Sequence, residues 1–204
     1  MIGILDIGMG NLRSVHNAVY QNGFDPVVVH AAAEFDDLTH LILPGVGNFS
    51  AAVPEIDTRQ LRQPILTFVA SGRPLLGTCL GMQLLMGVGE EDGIHAGLGL
   101  IPGRVTRLAG EGLRVPHVGW NVLNMTRPHP IYEGIKKGRD FYFVHSYAAV
   151  CEDGNDLLGS TEYGGPVTAV IGRANVVGIQ FHPEKSQVNG LRMIENFCNW
   201  DGRC

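Results

Sequence analysis

One cysteine of this chain lies in a setting that indicates nucleophilic chemistry. The sequence around Cys79 is Gly77-Thr78-Cys79-Leu80-Gly81, which has the Gly-x-nucleophile-x-Gly pattern. An apolar run that predicts a strand, Pro74–Thr78, precedes it, and a run that predicts a helix, Leu80–Met86, follows it. A sharp turn between these elements would present the thiol at a helix N-terminus, where a thiolate is stabilised. The pattern therefore favours a nucleophile over a cysteine buried in a glycine-rich turn.

A nucleophilic cysteine needs a base, and the segment Gln180-Phe181-His182-Pro183-Glu184 can supply one. His182 and Glu184 are two residues apart, and such residues face the same side of an extended chain. The strand predicted at Val176–Ile179 ends just before them, and the sites of α/β proteins cluster at the carboxyl ends of strands. We therefore predict a triad in which His182 takes the proton of Cys79 while Glu184 orients the imidazole ring.

Three other patterns in the chain are weaker. The segment Gly8-Met9-Gly10 lacks the third glycine of a dinucleotide-binding fingerprint, because Arg13 stands in its place. The segment from Gly72 to Gly77 has the spacing of a phosphate-binding loop, but Thr78 stands where that loop needs lysine. The remaining histidines lack the spacing of metal ligands, so we expect neither a metal site nor a cofactor.

The elements that would position these residues alternate between strand and helix in the first half of the chain. Apolar runs predict strands at Ile2–Ile7, Val27–Val29 and Leu41–Leu43, the last of them stopped by Pro44 and Gly45. Helical spacing predicts helices from Leu12 to about Gly23 and from Leu61 to Val69. This alternation with short connections predicts an α/β fold, in which a mostly parallel central sheet has flanking helices on both faces.

The second half predicts an antiparallel extension, because its apolar segments alternate and are separated by hairpin turns. Its strands are predicted at Arg104–Leu108, Phe141–Val144, Pro166–Ile171 and Val176–Ile179. A last helix would bury one face, formed by Val188, Leu191, Ile194, Phe197 and Cys198. No Pro- or Ser-rich linker interrupts the chain, so we expect residues 1–204 to form a single domain.

Length and composition exclude several classes of function. The 204 residues carry 15 basic and 20 acidic side chains without a long basic cluster, which argues against nucleic acid and anionic membrane as partners. No apolar run approaches the ~20 residues of a membrane helix, and the first residues lack the basic region of a secretory signal. Four cysteines, Cys79, Cys151, Cys198 and Cys204, are too few for a disulfide scaffold. We therefore expect a cytoplasmic protein.

Several segments together resemble the class I glutamine amidotransferases. The turn at Cys79 continues into Met82-Gln83, and the distant His182-Pro183-Glu184 completes the pattern of that class. Further segments are similar to the glutaminase subunits of imidazole glycerol phosphate synthase: Asp6–Asn11, Pro44–Phe49, Pro116–Asn121 and Tyr142–Tyr147. The resemblance extends from Asp6 to the final helix and implies the flavodoxin-like fold of class I glutaminases.

The resemblance also implies a role for each site residue. Cys79 would attack the side-chain amide of L-glutamine, releasing ammonia and leaving a thioester that water hydrolyses to glutamate. The N–H groups of Leu80 and Val46 would form the oxyanion hole. The glutamine itself would be contacted by Gly47, Gln83, His145 and Ser146, although His145 and Ser146 could instead be packing residues at the sheet edge.

A partner follows from the same resemblance. In this family the ammonia passes to a cyclase subunit of (β/α)₈ barrel fold, and the heterodimer forms imidazole glycerol phosphate and an aminoimidazole carboxamide ribotide in histidine biosynthesis. Asn11, Trp120 and Asn121 would be interface or signalling positions, although Trp120 could equally be a core aromatic.

Three alternatives to this interpretation stay open. The chain could serve another amidotransferase, in anthranilate, pyridoxal phosphate or guanylate synthesis. It could be a free-standing cysteine hydrolase, against which Gln83 beside the turn argues. It could be a non-catalytic binding subunit, which would not need to keep Cys79, His182 and Glu184 together.

Overall fold

The computed structural model describes residues 1–203, so Cys204 lies outside the described residues. The strands are, in chain order, β1 (Ile2–Leu5), β2 (Pro26–Val29), β3 (His40–Gly45), β4 (Leu75–Cys79), β5 (Met86–Gly89), β6 (His95–Ala96), β7 (Ile101–Arg107), β8 (His117–Val122), β9 (Asn124–Met125), β10 (Asp140–His145), β11 (Tyr147–Cys151), β12 (Leu157–Glu162), β13 (Pro166–Arg173) and β14 (Val176–Ile179). The helices are α1 (Leu12–Gln21), α2 (Phe49–Thr58), α3 (Arg62–Ala70), α4 (Leu80–Leu84) and α5 (Gln187–Asn199).

The main sheet has eight strands in the order β2-β1-β3-β4-β14-β13-β12-β9. The first five strands are parallel, and the last three continue the sheet in antiparallel pairings. The predicted parallel sheet with an antiparallel extension is thus confirmed. Strand β4 lies between β3 and β14, with Cys79 opposite Gly45 and Thr78 opposite Ile179. The segments that leave these three strands therefore emerge side by side.

Helices cover both faces of the main sheet because alternate residues of each strand point to opposite faces. In β3, Leu41 and Leu43 join the core that contains the buried residues of α2 and α3. Ile42, between them, joins the core that contains the buried residues of α1 and α5. Each fully buried aliphatic or aromatic side chain in such a core stabilises the fold by about 1.5–3 kcal/mol.

Two smaller sheets stand beside the main one. Strands β8 and β10 form an antiparallel pair, and β5, β6, β7 and β11 form a four-stranded sheet in the order β11-β7-β5-β6. The strands predicted at Arg104–Leu108 and Phe141–Val144 are therefore present, but they belong to these smaller sheets rather than to the extension of the main one. Within residues 1–203 no helix has the length and apolar character needed to cross a membrane.

Two of the predicted boundaries near the site were wrong. Strand β3 does not stop before Pro44 but runs through Gly45, because Pro44 and Gly45 remain paired in register with β4. Helix α4 ends at Leu84 rather than at Met86, because Met86 already pairs with Ile101 as the first residue of β5.

Two helices also differ from expectation. Val188 on α5 is 74% exposed, and the buried face of that helix instead includes Gly190 and Met193. Helix α2 was not predicted from the sequence, and it contains Pro54, a residue that disfavours helix interiors. Its start is stabilised by Asn48, whose side-chain oxygen accepts a hydrogen bond from the Ala51 N–H at 3.2 Å.

Candidate active site

The turn predicted at Cys79 is present, and its backbone is strained. Cys79 is the last residue of β4 and has φ 53° and ψ −112°. A non-glycine residue in such a conformation costs about 1–3 kcal/mol, so the surrounding structure must hold it there. The flanking glycines allow this, because a Cβ on Gly81 would meet the carbonyl oxygen of Leu43 and a Cβ on Gly77 would meet that of Gly81. The chain can therefore pass directly from β4 into α4 with the thiol at the junction.

His182 and Glu184 follow β14, the strand next to β4, and form a buried pair. His182 Nδ1 donates to Glu184 Oε1 at 2.8 Å, and the two side chains are only 3% and 1% exposed. The backbone of His182 is fixed on both sides. Its N–H donates to the Tyr142 carbonyl oxygen at 2.9 Å, and its carbonyl oxygen accepts from the Ser186 hydroxyl at 2.6 Å. The imidazole ring is thereby fixed in the same cleft as Cys79.

The charges of this pair are set by the groups around it. Burial by itself lowers the pKa of His182, but the hydrogen bonds and negative charges of Cys79 and Glu184 raise it to about 9. Burial likewise raises the pKa of the Glu184 carboxyl, but hydrogen bonds from His182 and from Asn11, whose Nδ2 is 3.3 Å from Oε1, hold it below its ordinary value. Near neutral pH these shifts favour an imidazolium at His182 beside a carboxylate at Glu184.

A cleft of about 810 Å³ opens in front of Cys79. Most of its wall comes from the segments that follow β1, β3, β4, β5, β10 and β14. Apart from Glu184, which lies behind His182, every residue predicted for the site lines this cleft: Val46, Gly47, Cys79, Leu80, Gln83, His145, Ser146 and His182. Residues spread over much of the chain are thus brought together at the carboxyl ends of the parallel strands.

The two predicted oxyanion donors, the N–H groups of Leu80 and Val46, differ in whether they already have a hydrogen-bond partner. Leu80 is the first residue of α4, so its N–H has no partner within the helix and is available beside Cys79. The Val46 N–H instead donates to the Met9 carbonyl oxygen at 3.2 Å. Val46 therefore lines the cleft, but its N–H is already bonded in this conformation.

The structure places His145 in the wall of the cleft with both ring nitrogens bonded. Its Nδ1 is 2.8 Å from the Tyr147 carbonyl oxygen, which can only accept, so Nδ1 carries the proton. Its Nε2 then accepts from His117 Nδ1 at 3.0 Å. Burial lowers the pKa of His145 to about 4 and also lowers that of His117, so both rings are neutral. His145 therefore shapes the cleft without a free ring nitrogen to offer glutamine.

Gln83 also lines the cleft, but its amide hydrogens are used inside the protein. Its Nε2 donates to the Tyr147 carbonyl oxygen at 3.0 Å and to Gln180 Oε1 at 3.1 Å. The atom that Gln83 can still offer to glutamine is its carbonyl oxygen. Ser146, the remaining predicted contact, is half-buried in the same wall.

Two charged residues that line the cleft were not identified from the sequence. Glu91 lies between β5 and β6, and its Oε2 accepts from the Phe49 N–H at 2.7 Å at the start of α2. No local pattern marks Glu91, since its position depends on that tertiary contact. Lys185 directly follows Glu184, and this adjacency could have identified it. Among residues 1–203 no group of three or more His, Cys, Asp or Glu side chains is placed to hold a metal ion.

An exposed apolar surface, here called the β8–β10 face, adjoins the cleft. Val118, Trp120 and Val122 alternate along β8 and are 56%, 48% and 37% exposed. Across the pair, Tyr142 lies opposite Trp120, with ring centroids 5.9 Å apart, and Val144 lies opposite Val118. Trp120 is therefore a surface residue and not a core aromatic.

The other two positions singled out with Trp120 have internal contacts. Asn11 donates to Glu184 as described above, which connects the segment after β1 to the His182–Glu184 pair. Asn121 Nδ2 donates to the Glu162 carbonyl oxygen at 2.9 Å and lies 3.3 Å from His117 Nε2. Its amide therefore joins β8 to the end of β12 and to the buried histidine pair.

Comparisons with known proteins agree with this geometry. The sequence profile of the family described as glutamine amidotransferase class-I matches residues 3–200. The imidazole glycerol phosphate synthase subunit HisH of Desulfitobacterium hafniense is 48% identical over 200 residues, covering 98% of this chain and 94% of that protein. HisH of Syntrophotalea carbinolica is 46% identical over 203 residues, covering 97% and 98%.

Solved structures show the same fold at lower sequence identity. The structure of PurLQS from Thermotoga maritima matches with a TM-score of 0.77 at 20% identity, over 97% of each chain. A crystal structure described as a glutamine amidotransferase matches with the same TM-score at 20% identity, over 98% of each chain. With its profile match and its full-length relatives, the chain belongs to the class I glutamine amidotransferases and, within them, to the family of HisH subunits of imidazole glycerol phosphate synthase.

Proposed function

We propose that this protein hydrolyses glutamine to glutamate and ammonia through Cys79, His182 and Glu184, and supplies the ammonia to a cyclase that forms imidazole glycerol phosphate. The observation that carries the proposal is the strained thiol at the end of β4 beside a buried His–Glu pair. The names of the relatives support the pathway, since full-length matches at 46–48% identity are subunits of that synthase.

The proposed reaction begins with attack of the Cys79 thiolate on the side-chain amide carbon of glutamine. The carbonyl oxygen becomes an oxyanion, to which the Leu80 N–H donates at the start of α4. His182 gives its proton to the amide nitrogen, the C–N bond breaks, and ammonia leaves a thioester on Cys79. His182 then takes a proton from water as the water attacks the thioester, and glutamate and the thiolate are released.

Val46 is proposed as the second oxyanion donor. It follows β3, whose last residue, Gly45, lies opposite Cys79, and it lines the cleft. Its N–H can serve only after the bond to the Met9 carbonyl oxygen breaks. Since loss of one oxyanion donor typically lowers the rate by ~10²–10³, a protein in this conformation is expected to hydrolyse glutamine slowly.

The charged end of glutamine needs partners of its own, and the cleft offers a carboxylate and an ammonium. We assign Glu91 to the α-ammonium group, with the carbonyl oxygen of Gln83 as a second acceptor. We assign the α-carboxylate to Lys185 and Ser146, which line the same cleft. Gly47, with φ +123°, gives the chain a conformation in which the loop after β3 bends around the cleft.

Replacing Glu91 by glutamine tests this assignment. The variant keeps an oxygen to accept from the Phe49 N–H but removes the negative charge that faces the α-ammonium group. A hydrogen bond to a charged group contributes about 1.5–3 kcal/mol, so the KM for glutamine should rise at least about tenfold while kcat changes little. Steady-state glutamate release measures both constants.

Glu90 provides the matched control for this experiment. Its carboxylate pairs with Arg104 at 3.6 Å on the surface, and Glu90 does not line the cleft. Glu90→Gln should therefore leave the KM for glutamine unchanged. Equal KM values for the two variants, or a fall in kcat with no change in KM, would contradict the assignment of Glu91.

We further propose that the β8–β10 face docks a cyclase subunit of (β/α)₈ barrel fold, forming a heterodimer. Exposed apolar residues grouped in this way mark interaction sites, and aromatic side chains are enriched at their energetic centres. Val144 belongs to this face and also lines the cleft, so a partner seated there would lie next to the point where ammonia is released.

A partner titration tests this function and its docking face. A cyclase subunit with its nucleotide ligand should raise glutaminase turnover, and Trp120→Ala should weaken the complex at least about 30-fold, as a central aromatic contact contributes ≥2 kcal/mol. Val150 on β11 is 50% exposed and belongs to a different sheet. Val150→Ala is therefore the control and should bind the cyclase normally. Stimulation by an anthranilate, pyridoxal phosphate or guanylate synthase instead would favour the alternative amidotransferases.

Residues 1–204 are proposed to form one domain, because strands from both halves of the chain share the main sheet. A cytoplasmic location stays a prediction from the sequence.

A further inference from the structure

A second glutamine lies behind the proposed nucleophile. Gln180, the residue after β14, is completely buried and does not line the cleft. Its backbone N–H donates to the Ala169 carbonyl oxygen at 2.8 Å, which fixes its place beside the sheet. Its side-chain Nε2 is 3.8 Å from Cys79 Sγ, within the range of a hydrogen bond to sulfur.

The orientation of this amide follows from a chain of contacts that begins at a backbone carbonyl. The carbonyl oxygen of Tyr147 can only accept, so the Gln83 atom 3.0 Å from it must be the nitrogen. That nitrogen is also 3.1 Å from the Gln180 side chain, which must therefore turn its oxygen toward Gln83. The nitrogen of Gln180 is then left facing Cys79 Sγ as a donor.

The sulfur thus has a different protein partner in each protonation state. As a thiol, Cys79 can donate to the Val144 carbonyl oxygen at 3.9 Å. As a thiolate it can only accept, and Gln180 Nε2 is a donor that is already in place. We propose that the side-chain amide of Gln180 is a catalytic contact of this glutaminase, which stabilises the Cys79 thiolate from inside the protein. This inference rests on the proposed role of Cys79 as the nucleophile.

The Gln180 amide adds to two other sources of stabilisation for a thiolate. The first is the N-terminus of α4, a helix of only 5 residues, whose unpaired N–H groups carry a partial positive charge. His182 supplies a positive charge from the cleft side, and Gln180 supplies a neutral donor from the buried side. The same contact favours the second half of the reaction, since the leaving group of thioester hydrolysis is the thiolate.

The pH dependence of Cys79 alkylation by iodoacetamide tests the proposal on the whole chain without a partner, because only the thiolate reacts. In Gln180→Leu, we expect the midpoint of the pH–rate profile to rise by about one pH unit, a roughly tenfold loss of rate on the acidic side. Gln180→Glu should raise it further, because its carboxylate keeps an acceptor for Gln83 but turns negative charge toward the sulfur. Gln83→Met removes the partner that orients the Gln180 amide. This variant should also raise the midpoint, but by less than Gln180→Leu does.

Two other cysteines serve as controls within each sample. Burial raises the pKa of Cys151 to about 11 and that of Cys198 to about 12, and neither is in contact with Gln180. Their alkylation should be the same in all variants. The other titratable or charged groups near the sulfur stay unchanged in these variants: His145, His182, Glu184, Glu91 and Lys185.

The possible outcomes separate this inference from the proposed function. If Cys79 of the unmodified protein is alkylated no faster than Cys151 at about pH 6, the nucleophile assignment itself is wrong. If Cys79 reacts fast and both Gln180 variants keep its midpoint, only the inference about Gln180 is overturned. If Gln180 had a purely structural role, its replacement would lower the melting temperature but leave the midpoint of the pH–rate profile unchanged. Should Gln180→Leu fail to fold, Gln83→Met and Gln180→Glu decide between the same results.

Discussion

Replacing Cys79 with alanine should abolish glutamine hydrolysis by the protein in complex with its cyclase. The same complex should still form imidazole glycerol phosphate when ammonia is added. In the proposed mechanism the Cys79 sulfur forms the covalent bond to glutamine, and neither His182 nor the Leu80 N–H can replace it. Removal of a nucleophile from such a triad lowers the rate by at least about 10⁴. Glutamate release measures the first activity, and formation of imidazole glycerol phosphate from an ammonium salt measures the second.

An electrophilic glutamine analogue provides the companion measurement. It should modify Cys79 of the unmodified protein and no other cysteine, and Cys79→Ala should remain unlabelled. Cys151→Ala is the control: this half-buried residue on β11 lies outside the cleft, and its variant should keep both activities and the label. Labelling spread over Cys151, Cys198 and Cys204, or glutamine hydrolysis that survives in Cys79→Ala, would show that Cys79 is not the nucleophile.

The parts of this site that could be predicted from the sequence are those that depend on local backbone geometry. The turn at Cys79 requires glycines at fixed distances, because a Cβ at Gly77 or Gly81 would meet backbone atoms. The pair His182 and Glu184 directly follows β14 as predicted, although Glu184 lies in a 3₁₀ turn over Pro183–Lys185 and not in the extended segment expected from the sequence. The parallel order of β3, β4 and β14 then brings these two short patterns together without any further signal in the sequence.

The parts that could not be predicted depend on contacts between distant segments. The apolar run after Cys79 suits a helix as well as a strand, and only the pairing of Met86 with Ile101 on β7 ends the helix at Leu84. The bond between Val46 and Met9 joins two loops in the same way. Gln180 and Cys79 are 101 residues apart, and the orientation of the Gln180 amide depends in turn on Gln83 and on a backbone carbonyl of β11.

The largest expected effect on stability is that of Gly81→Ala. Alanine is a better helix former than glycine, so the substitution alone would stabilise an exposed helix by about 0.8–1.0 kcal/mol. Gly81, however, packs against β3, where the new Cβ would overlap the carbonyl oxygen of Leu43 and approach the Leu43 side chain. Overpacking against such a neighbour costs about 1–3 kcal/mol or more, and backbone atoms of a central strand have little freedom to move. The clash should therefore outweigh the helix propensity.

We expect Gly81→Ala to lower the free energy of unfolding by about 2 kcal/mol or more, which for a chain of this size lowers the melting temperature by roughly 4–8 °C. Denaturant and thermal unfolding of the isolated protein measure both quantities. Gly154→Ala is the matched control, because no atom lies within 4 Å of its added Cβ and its backbone lies outside the left-handed region. That variant should stay within about 0.5 kcal/mol of the parent. If Gly81→Ala were as stable as Gly154→Ala, α4 could move away from β3, and the strained conformation of Cys79 would not depend on close packing of α4 against β3.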